Sequence, residues 1–170
     1  MTWTAFPASV CALLLAATLH AGPRDPTAGL DNADGPPAFV VNRANPVDDL
    51  TLAELRRIFL FDRQTWPNGR KITVVLREKG QPERGEVIRR LCSMSEAEYD
   101  SHILFQTFRG SIGWGPRSIA SASAMLRFVF NVVGAIGYVP ANQVDDTTKV
   151  LRIDGLLPAD PRYPLRPGAR

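Results

Sequence analysis

Apolar and polar positions between residues 39 and 154 follow patterns that predict strands and helices in alternation. Short runs rich in β-branched residues predict strands at 39–42, 72–77, 135–139 and 149–153. The run "ITVVLR" at 72–77 is almost continuously apolar, which is typical of a strand covered on both faces. Strands that alternate with helices along a chain favour an α/β domain.

Capping boxes predict where two of the helices begin. Thr51 and Glu54 have the spacing of such a box at the start of "TLAELRRIFL", and Ser95 and Glu98 repeat it before a second helix that Gly110 would end. The apolar residues of the two helices recur at helical spacing, and they are Leu52, Leu55, Ile58 and Phe59 in the first and Tyr99, Ile103, Leu104 and Phe108 in the second.

Two further helices are predicted from their apolar stripes. The helix after Pro82 carries an apolar stripe that ends at Cys92. The segment "SIASASAMLRFVFNVV" (118–133) predicts a helix that starts near Ser118, with this serine as its N-cap, and ends at Gly134.

The chain ends differ in composition from the folded unit, which we expect to span 39–154. Residues 1–21 have a short apolar core without Lys, Arg, Asp or Glu, which predicts a signal peptide and an exported protein. Residues 22–38 are rich in Gly, Pro and Asp and predict a flexible leader. Residues 155–170 contain regularly spaced prolines, which exclude a helix and predict an extended tail.

The charge distribution argues against one class of partner, and the cysteine content argues against an internal disulfide. The formal net charge of the 170 residues is +3, but the basic residues are scattered and not interleaved with aromatic residues, which argues against nucleic-acid binding. Cleavage after Ala21 would leave Cys92 as the single cysteine, so the mature chain could form no internal disulfide.

The sequence does not favour an enzyme. The mature chain would contain one histidine, His102, and one cysteine, too few for a multi-histidine or thiolate metal centre. Cys92 lies on an apolar helical stripe, so we interpret it as a packed residue and not as a nucleophile paired with His102. The acidic pairs at 48–49 and 145–146 fit solvated turns. No phosphate-binding Walker loop or dinucleotide fingerprint is present, and no cofactor is expected.

The turn "REKGQPER" leads from a strand into a helix and has the outline of an anion site. Arg77 offers a guanidinium, and Gly80 and Gln81 offer backbone N–H groups. Pro82 has no N–H and Glu83 brings a negative charge, so much of the expected anion-binding chemistry is missing.

The segment "RGSIGWGPRSIAS" is a second candidate. It places three glycines before a serine-rich helix start, with Arg117 and Ser118 as candidate ligand-binding residues. Trp114 lies between two of the glycines, in a loop that could cover a ligand or touch a partner.

The order of "LTLAELRRIFL", the "WPNG" turn, "ITVVLREKG" and "VVGAIGYV" resembles the phosphate-binding proteins of bacterial phosphate ABC transporters, and especially their short exported relatives. This resemblance covers about 39–153 and implies one lobe of a type 2 periplasmic-binding-protein fold, with a small mixed sheet flanked by helices. It implies binding of phosphate or another small oxyanion in the periplasm, and an ABC transporter or another envelope protein as partner.

The chain departs from this family in two respects. It resembles only the second of the two lobes between which the family binds its ligand. Arg77 and Gly80 match the family's phosphate loop, but Gln81, Pro82 and Glu83 stand where the family has Ser, Gly and Thr. Two hypotheses therefore stay open: a solute-binding module, and a non-catalytic protein-interaction module that has lost its ligand.

Overall fold

The computed structural model describes Met1 and residues 35–167. The predicted signal peptide beyond Met1, residues 22–34 of the predicted leader and residues 168–170 of the predicted tail lie outside the described residues.

A mixed five-stranded sheet forms the centre of the domain. It consists of β1 (Pro37–Asn42), β3 (Thr73–Arg77), β4 (Arg117–Ile119), β5 (Ala135–Pro140) and β6 (Thr148–Val150), in the order β4-β3-β5-β1-β6. Strand β3 is parallel to both β4 and β5, whereas β1 is antiparallel to β5 and β6. Two short strands, β2 (Asp49–Leu50) and β7 (Arg152–Ile153), form a separate parallel pair. The predicted α/β class, with a small mixed sheet flanked by helices, is confirmed.

Within residues 35–167, four α-helices flank the sheet, namely α1 (Leu52–Phe59), α2 (Pro82–Val87), α3 (Glu96–Phe108) and α4 (Ala122–Asn131). Helix α2 continues as a π-helical turn over Ile88–Cys92. Both predicted capping boxes are confirmed, since Thr51 and Ser95 each accept from the N–H of the glutamate three residues later, whose carboxylate accepts from the cap N–H.

The predicted start of α4 is wrong. Ser118 lies in β4, opposite Leu76 of β3, and the N-cap is Ser121, whose hydroxyl accepts from the N–H of Ala124. Strand pairing supplies main-chain hydrogen bonds to residues 117–119, so the helix starts only after them.

Two apolar layers cover opposite faces of the sheet. The larger packs α1–α3 against one face through residues such as Phe39, Leu76 and Tyr138. The smaller packs α4 against the other face, with Val40 and Val75 inside it. Successive residues of β1 and β3 therefore point into different layers, as expected for strands covered on both faces.

The packed unit extends beyond the expected limits of 39–154. Strand β1 begins at Pro37, and Tyr163 and Leu165 from the predicted tail are buried in the larger core layer. The Tyr163 hydroxyl donates to the Pro37 carbonyl at 3.0 Å. The prolines exclude a helix there but permit turns, and each large side chain buried between them contributes about 1.5–3 kcal/mol. The prediction of an extended tail is therefore wrong for 155–167.

Helix α3 departs from its predicted pattern, because most of its large apolar side chains face outward. Only Tyr99 is fully buried, while Leu104, Phe105 and Phe108 are exposed, Phe108 to 82%. Trp114 in the loop that follows is 78% exposed. Across the described part of the chain, no helix has the length and apolar character needed to cross a bilayer.

Candidate functional site

Arg77 ends β3 at the sheet edge where β5 also ends. The two strands are parallel neighbours, so Arg77 lies at the same edge as the end of β5, which contains Tyr138 and Pro140. Helix α2 begins five residues after Arg77 at this edge. In open α/β sheets, ligands bind beyond the carboxyl ends of the parallel strands. The topology therefore places Arg77 where this class of fold binds ligands.

The main chain of Arg77 is fixed by two side chains. Its N–H donates to the Tyr138 hydroxyl at 3.2 Å, and its carbonyl accepts from Arg84 Nη1 at 3.1 Å. Burial raises the pKa of Tyr138 above its ordinary range, so this hydroxyl stays protonated. The strand end that presents the Arg77 side chain is thus held from both sides.

Arg84 is itself held by Asp100 of α3 and lies near a second carboxylate of that helix, Glu96. It is 2% exposed, and its Nη2 donates to Asp100 Oδ1 at 2.9 Å. Its Nε lies 3.6 Å from Glu96 Oε2, beyond hydrogen-bond distance. Lys79 contacts the other Asp100 oxygen at 2.7 Å. This network ties α2, α3 and the end of β3 together next to the cavity.

A cavity of about 260 Å³ opens beside Arg77. Its walls are mainly apolar and come from the strands, from α2 and from the C-terminal segment, namely Pro37, Val139, Pro140, Pro82, Val87 and Pro167. Three acidic or basic side chains line it: Arg77, Glu83 and Glu86. A concave, mostly apolar space with a few convergent polar groups is typical of a small-molecule site.

Two of these charged groups have buried atoms without partners. Arg77 is 5% exposed, and within residues 35–167 neither its Nε nor its Nη1 has a hydrogen-bond partner. The same is true of Glu83 Oε2. Glu86, by contrast, is paired with Arg90 at 2.6 Å. Buried polar atoms are rarely left unpaired, and Arg77 and Glu83 both line the cavity, which makes it the candidate ligand site. The Nε of Arg84, which does not line the cavity, is also unpaired within residues 35–167.

The other residues predicted from the first turn do not line this cavity. Gly80 adopts a left-handed φ of 82°, as the turn requires, and the Gln81 N–H donates to the Glu78 carbonyl at 3.2 Å. Gln81 caps α2 without a side-chain hydrogen bond. Of the three residues predicted from this turn to bind an anion, only Arg77 lines the cavity.

The residues predicted from the second segment lie elsewhere. Arg117 lines a separate cavity of about 90 Å³ together with Trp114 and Gln64. Ser118 is exposed on β4 and lines neither of these two cavities. The structure therefore does not bring the two predicted groups of ligand-binding residues together.

The surroundings of Cys92 and His102 fit a role in packing and not in catalysis. Cys92 is fully buried, and burial raises the pKa of its thiol to about 11, so it is not a thiolate at neutral pH. His102 Nε2 lies 3.2 Å from the Leu60 carbonyl oxygen. Among the described residues, no group of three or more His, Cys, Asp or Glu side chains could hold a metal ion.

The sequence interpretation missed Arg84, Tyr138 and Pro167. Arg84 stands three residues before Val87 and seven before Leu91, so it continues the apolar stripe of its helix inward. A charged residue on such a stripe was the available signal. Pro167 carried no signal, because only the fold brings the C-terminal segment to the cavity.

Comparison with known proteins shows the fold alone. No family model matches the sequence. No curated protein matches it either. Among solved structures, an ABC-type phosphate transport receptor from Vibrio cholerae is similar at 24% identity with a TM-score of 0.63, over 78% of this chain and 54% of that one.

Two more solved structures are similar in the same way. One is a Clostridium perfringens protein, assigned to the substrate-binding proteins of phosphate ABC transporters and crystallised with bound phosphate (23% identity, TM-score 0.60, 73% of this chain and 47% of that one). The other is a phosphate-binding protein from Stenotrophomonas maltophilia (20% identity, TM-score 0.54, 73% and 40%). The chain spans about half the length of these proteins. The predicted resemblance to phosphate-binding proteins is confirmed at the level of the fold.

Proposed function

We propose that this protein is a solute-binding module that binds a small anionic ligand in the cavity beside Arg77. The observation that carries this proposal is the buried Arg77 guanidinium, two of whose nitrogens have no partner within residues 35–167. An anion that accepted from both nitrogens would compensate a charge that is costly to bury alone. The fold similarity to proteins that bind phosphate supports an oxyanion as the ligand.

Thermal unfolding of the protein with phosphate, sulfate and small carboxylates tests the proposal. An anion at 100 times its Kd stabilises the folded state by about 2.7 kcal/mol, which is a measurable shift in Tm. Arg77→Met should abolish the shift, while Arg117→Met, which changes an exposed arginine, should leave it intact. Without ligand, Arg77→Met should unfold at the same or a higher temperature, because it removes a buried unpaired charge.

Two results would contradict this function. In the first, no anion of the panel stabilises the wild-type protein. In the second, Arg77→Met responds to the anions as strongly as the wild type does, which would place any binding elsewhere.

We also propose that residues 1–21 direct export and that an ABC transporter or another envelope protein is the partner. The charge-free apolar run of this segment supports the first part, and the transport role of the similar proteins supports the second. The mass of the protein recovered from the periplasm tests export. A chain that retains Met1, or that is found only in the cytoplasm, would refute it.

A protein-interaction module is the second candidate function, and the outward-facing side chains of α3 favour it. Phe105, Phe108 and Trp114 expose large apolar areas close together in sequence. Light scattering with wild type and Phe108→Ser tests this candidate. A wild-type dimer that becomes monomeric in the variant would support it, and a monomer in both cases would rule out self-association through this face.

A further inference from the structure

The cavity beside Arg77 holds two unpaired charges of opposite sign. Arg77 presents unpartnered donors and Glu83 an unpartnered acceptor, and among the ion pairs of residues 35–167 none joins these two side chains within 4.0 Å. Glu86 is neutralised by Arg90, so Glu83 is the free carboxylate of the cavity. A ligand that satisfies both groups must offer an acceptor to Arg77 and a donor to Glu83, and an anionic acceptor with a cationic donor would also balance their charges.

The size and walls of the cavity specify the rest of the ligand. The volume is about 260 Å³. A single water molecule needs only about 10–15 Å³ of cavity volume, so an inorganic anion would fill a small part of this cavity. The remaining lining residues are mainly prolines and valines, whose apolar side chains favour contact with carbon over contact with water.

We propose that the cavity binds a small zwitterion of the α-amino acid type with an apolar side chain. The ligand carboxylate accepts from Arg77, the ligand ammonium donates to Glu83, and the apolar side chain packs on the walls. This inference rests on the proposed function, because it uses the same guanidinium. Under this assignment Glu83 does not disable an anion site. It selects ligands that carry a cation next to the anion.

Sulfate and phosphate satisfy this cavity less well. Either would bind the Arg77 end, but neither carries a positive charge for Glu83 or a carbon skeleton for the walls. The negative charge of Glu83 would also repel them. An amino acid should therefore bind more tightly than either inorganic anion.

Isothermal titration calorimetry of the full chain near neutral pH, with three matched probes, tests the assignment. L-leucine carries both charged groups, 4-methylpentanoate lacks the ammonium, and 3-methylbutylamine lacks the carboxylate. Each missing group removes a hydrogen bond to a charged side chain, so leucine should bind at least about tenfold more tightly than either analogue. Phosphate and sulfate are titrated in parallel.

Three variants test which side chains recognise the charged groups of the ligand. Glu83→Gln should weaken leucine binding about tenfold or more but strengthen or preserve binding of 4-methylpentanoate, since the carboxylate no longer repels it. Arg77→Met should abolish binding of both. Glu78→Gln removes an exposed carboxylate of the same turn that does not line the cavity, and it should change neither affinity.

The outcomes separate this inference from the function on which it rests. If phosphate or sulfate binds in an Arg77-dependent manner and leucine does not, the zwitterion assignment is overturned while anion binding stands. If leucine and 4-methylpentanoate bind equally well, or if Glu83→Gln affects both alike, Glu83 does not select the ligand and the assignment is again overturned. If no probe binds in an Arg77-dependent manner, both proposals fail.

Discussion

Replacement of Arg84 by methionine should destabilise the protein, because Arg84 connects the end of β3 to α3. The substitution removes the donors to the Arg77 carbonyl and to Asp100 but keeps an unbranched apolar stem of similar length in the packed position. Arg89, an exposed residue of the π-helical turn, provides the matched control as Arg89→Met.

The expected loss follows from the geometry of the network. Removal of one partner from a buried ion pair costs about 3–5 kcal/mol. The Asp100 side chain is 33% exposed and keeps Lys79 at 2.7 Å, so water and Lys79 compensate part of the loss. We therefore expect the lower end of the range, about 3 kcal/mol, for Arg84→Met, and less than about 0.5 kcal/mol for Arg89→Met.

Urea unfolding followed by circular dichroism measures this difference. With an unchanged slope of about 1–3 kcal/mol per molar urea, the midpoint of Arg84→Met should fall by about 1–3 M. A double-mutant cycle with Asp100→Asn should show a coupling free energy of about 0.5–3 kcal/mol between the two side chains. If Arg84→Met loses no more stability than Arg89→Met does, the network does not hold the strand end and this reasoning is refuted.

Three further predictions concern the core. Burial raises the pKa of the Cys92 thiol to about 11 from a reference value of 9.0. Above pH 9 the thiol therefore loses its proton in the unfolded chain before it does so in the folded one, and the free energy of unfolding should fall as pH rises toward 11. Gly134→Ala should cost about 1–3 kcal/mol, because an added Cβ would overlap the carbonyl oxygen of Lys71. Tyr163→Ala should cost about 3–5 kcal/mol, whereas Arg162→Ala, at an exposed neighbour, should cost little.

Each of these predictions has a result that contradicts it. For the thiol, the free energy of unfolding of Cys92→Ala should fall less steeply with pH than that of the wild type. Identical slopes of the free energy against pH would show that burial does not suppress ionisation of the thiol. For the glycine, Gly113→Ala is the control, since an added Cβ there meets nothing within 4 Å. Equal losses of stability in Gly113→Ala and Gly134→Ala would argue against a steric cause. For Tyr163, a loss below about 0.5 kcal/mol, the level of a surface change, would mean that the C-terminal segment is not packed in solution.

Local patterns were sufficient to predict most of the secondary structure. The capping boxes at Thr51 and Ser95 and the doubly covered strand at 72–77 depend on residues close together in sequence, and the structure confirms them. The error at Ser118 has a tertiary cause. Residues 117–119 have helix-compatible side chains, but the exposed edge of β3 offers them strand hydrogen bonds instead.

The candidate site was predictable only in part. Arg77 was identified because it ends an apolar strand and precedes a glycine turn. Its partners in the cavity are distant in sequence: Tyr138 comes from β5 and Pro167 from the C-terminal segment. Proximity of this kind depends on the pairing of β3 with β5 and on where the C-terminal segment packs, and no local pattern encodes either.

The lack of an ion pair between Arg77 and Glu83 among the described residues favours the proposed binding site over a site that has lost its ligand. Burial of an unpaired charge costs several kcal/mol, and the shortest way to avoid that cost is an internal ion pair. Two glutamates line the cavity, yet Glu86 is paired with Arg90 and no ion pair joins Glu83 to Arg77 within the described residues. Arg84 fixes the main chain of Arg77, and Pro82 starts α2, the helix that carries Glu83. If the ligand is the proposed zwitterion, its charged groups would meet one buried side chain, Arg77, and one partly buried side chain, Glu83, and this partial ordering before binding would lower the entropic cost of binding.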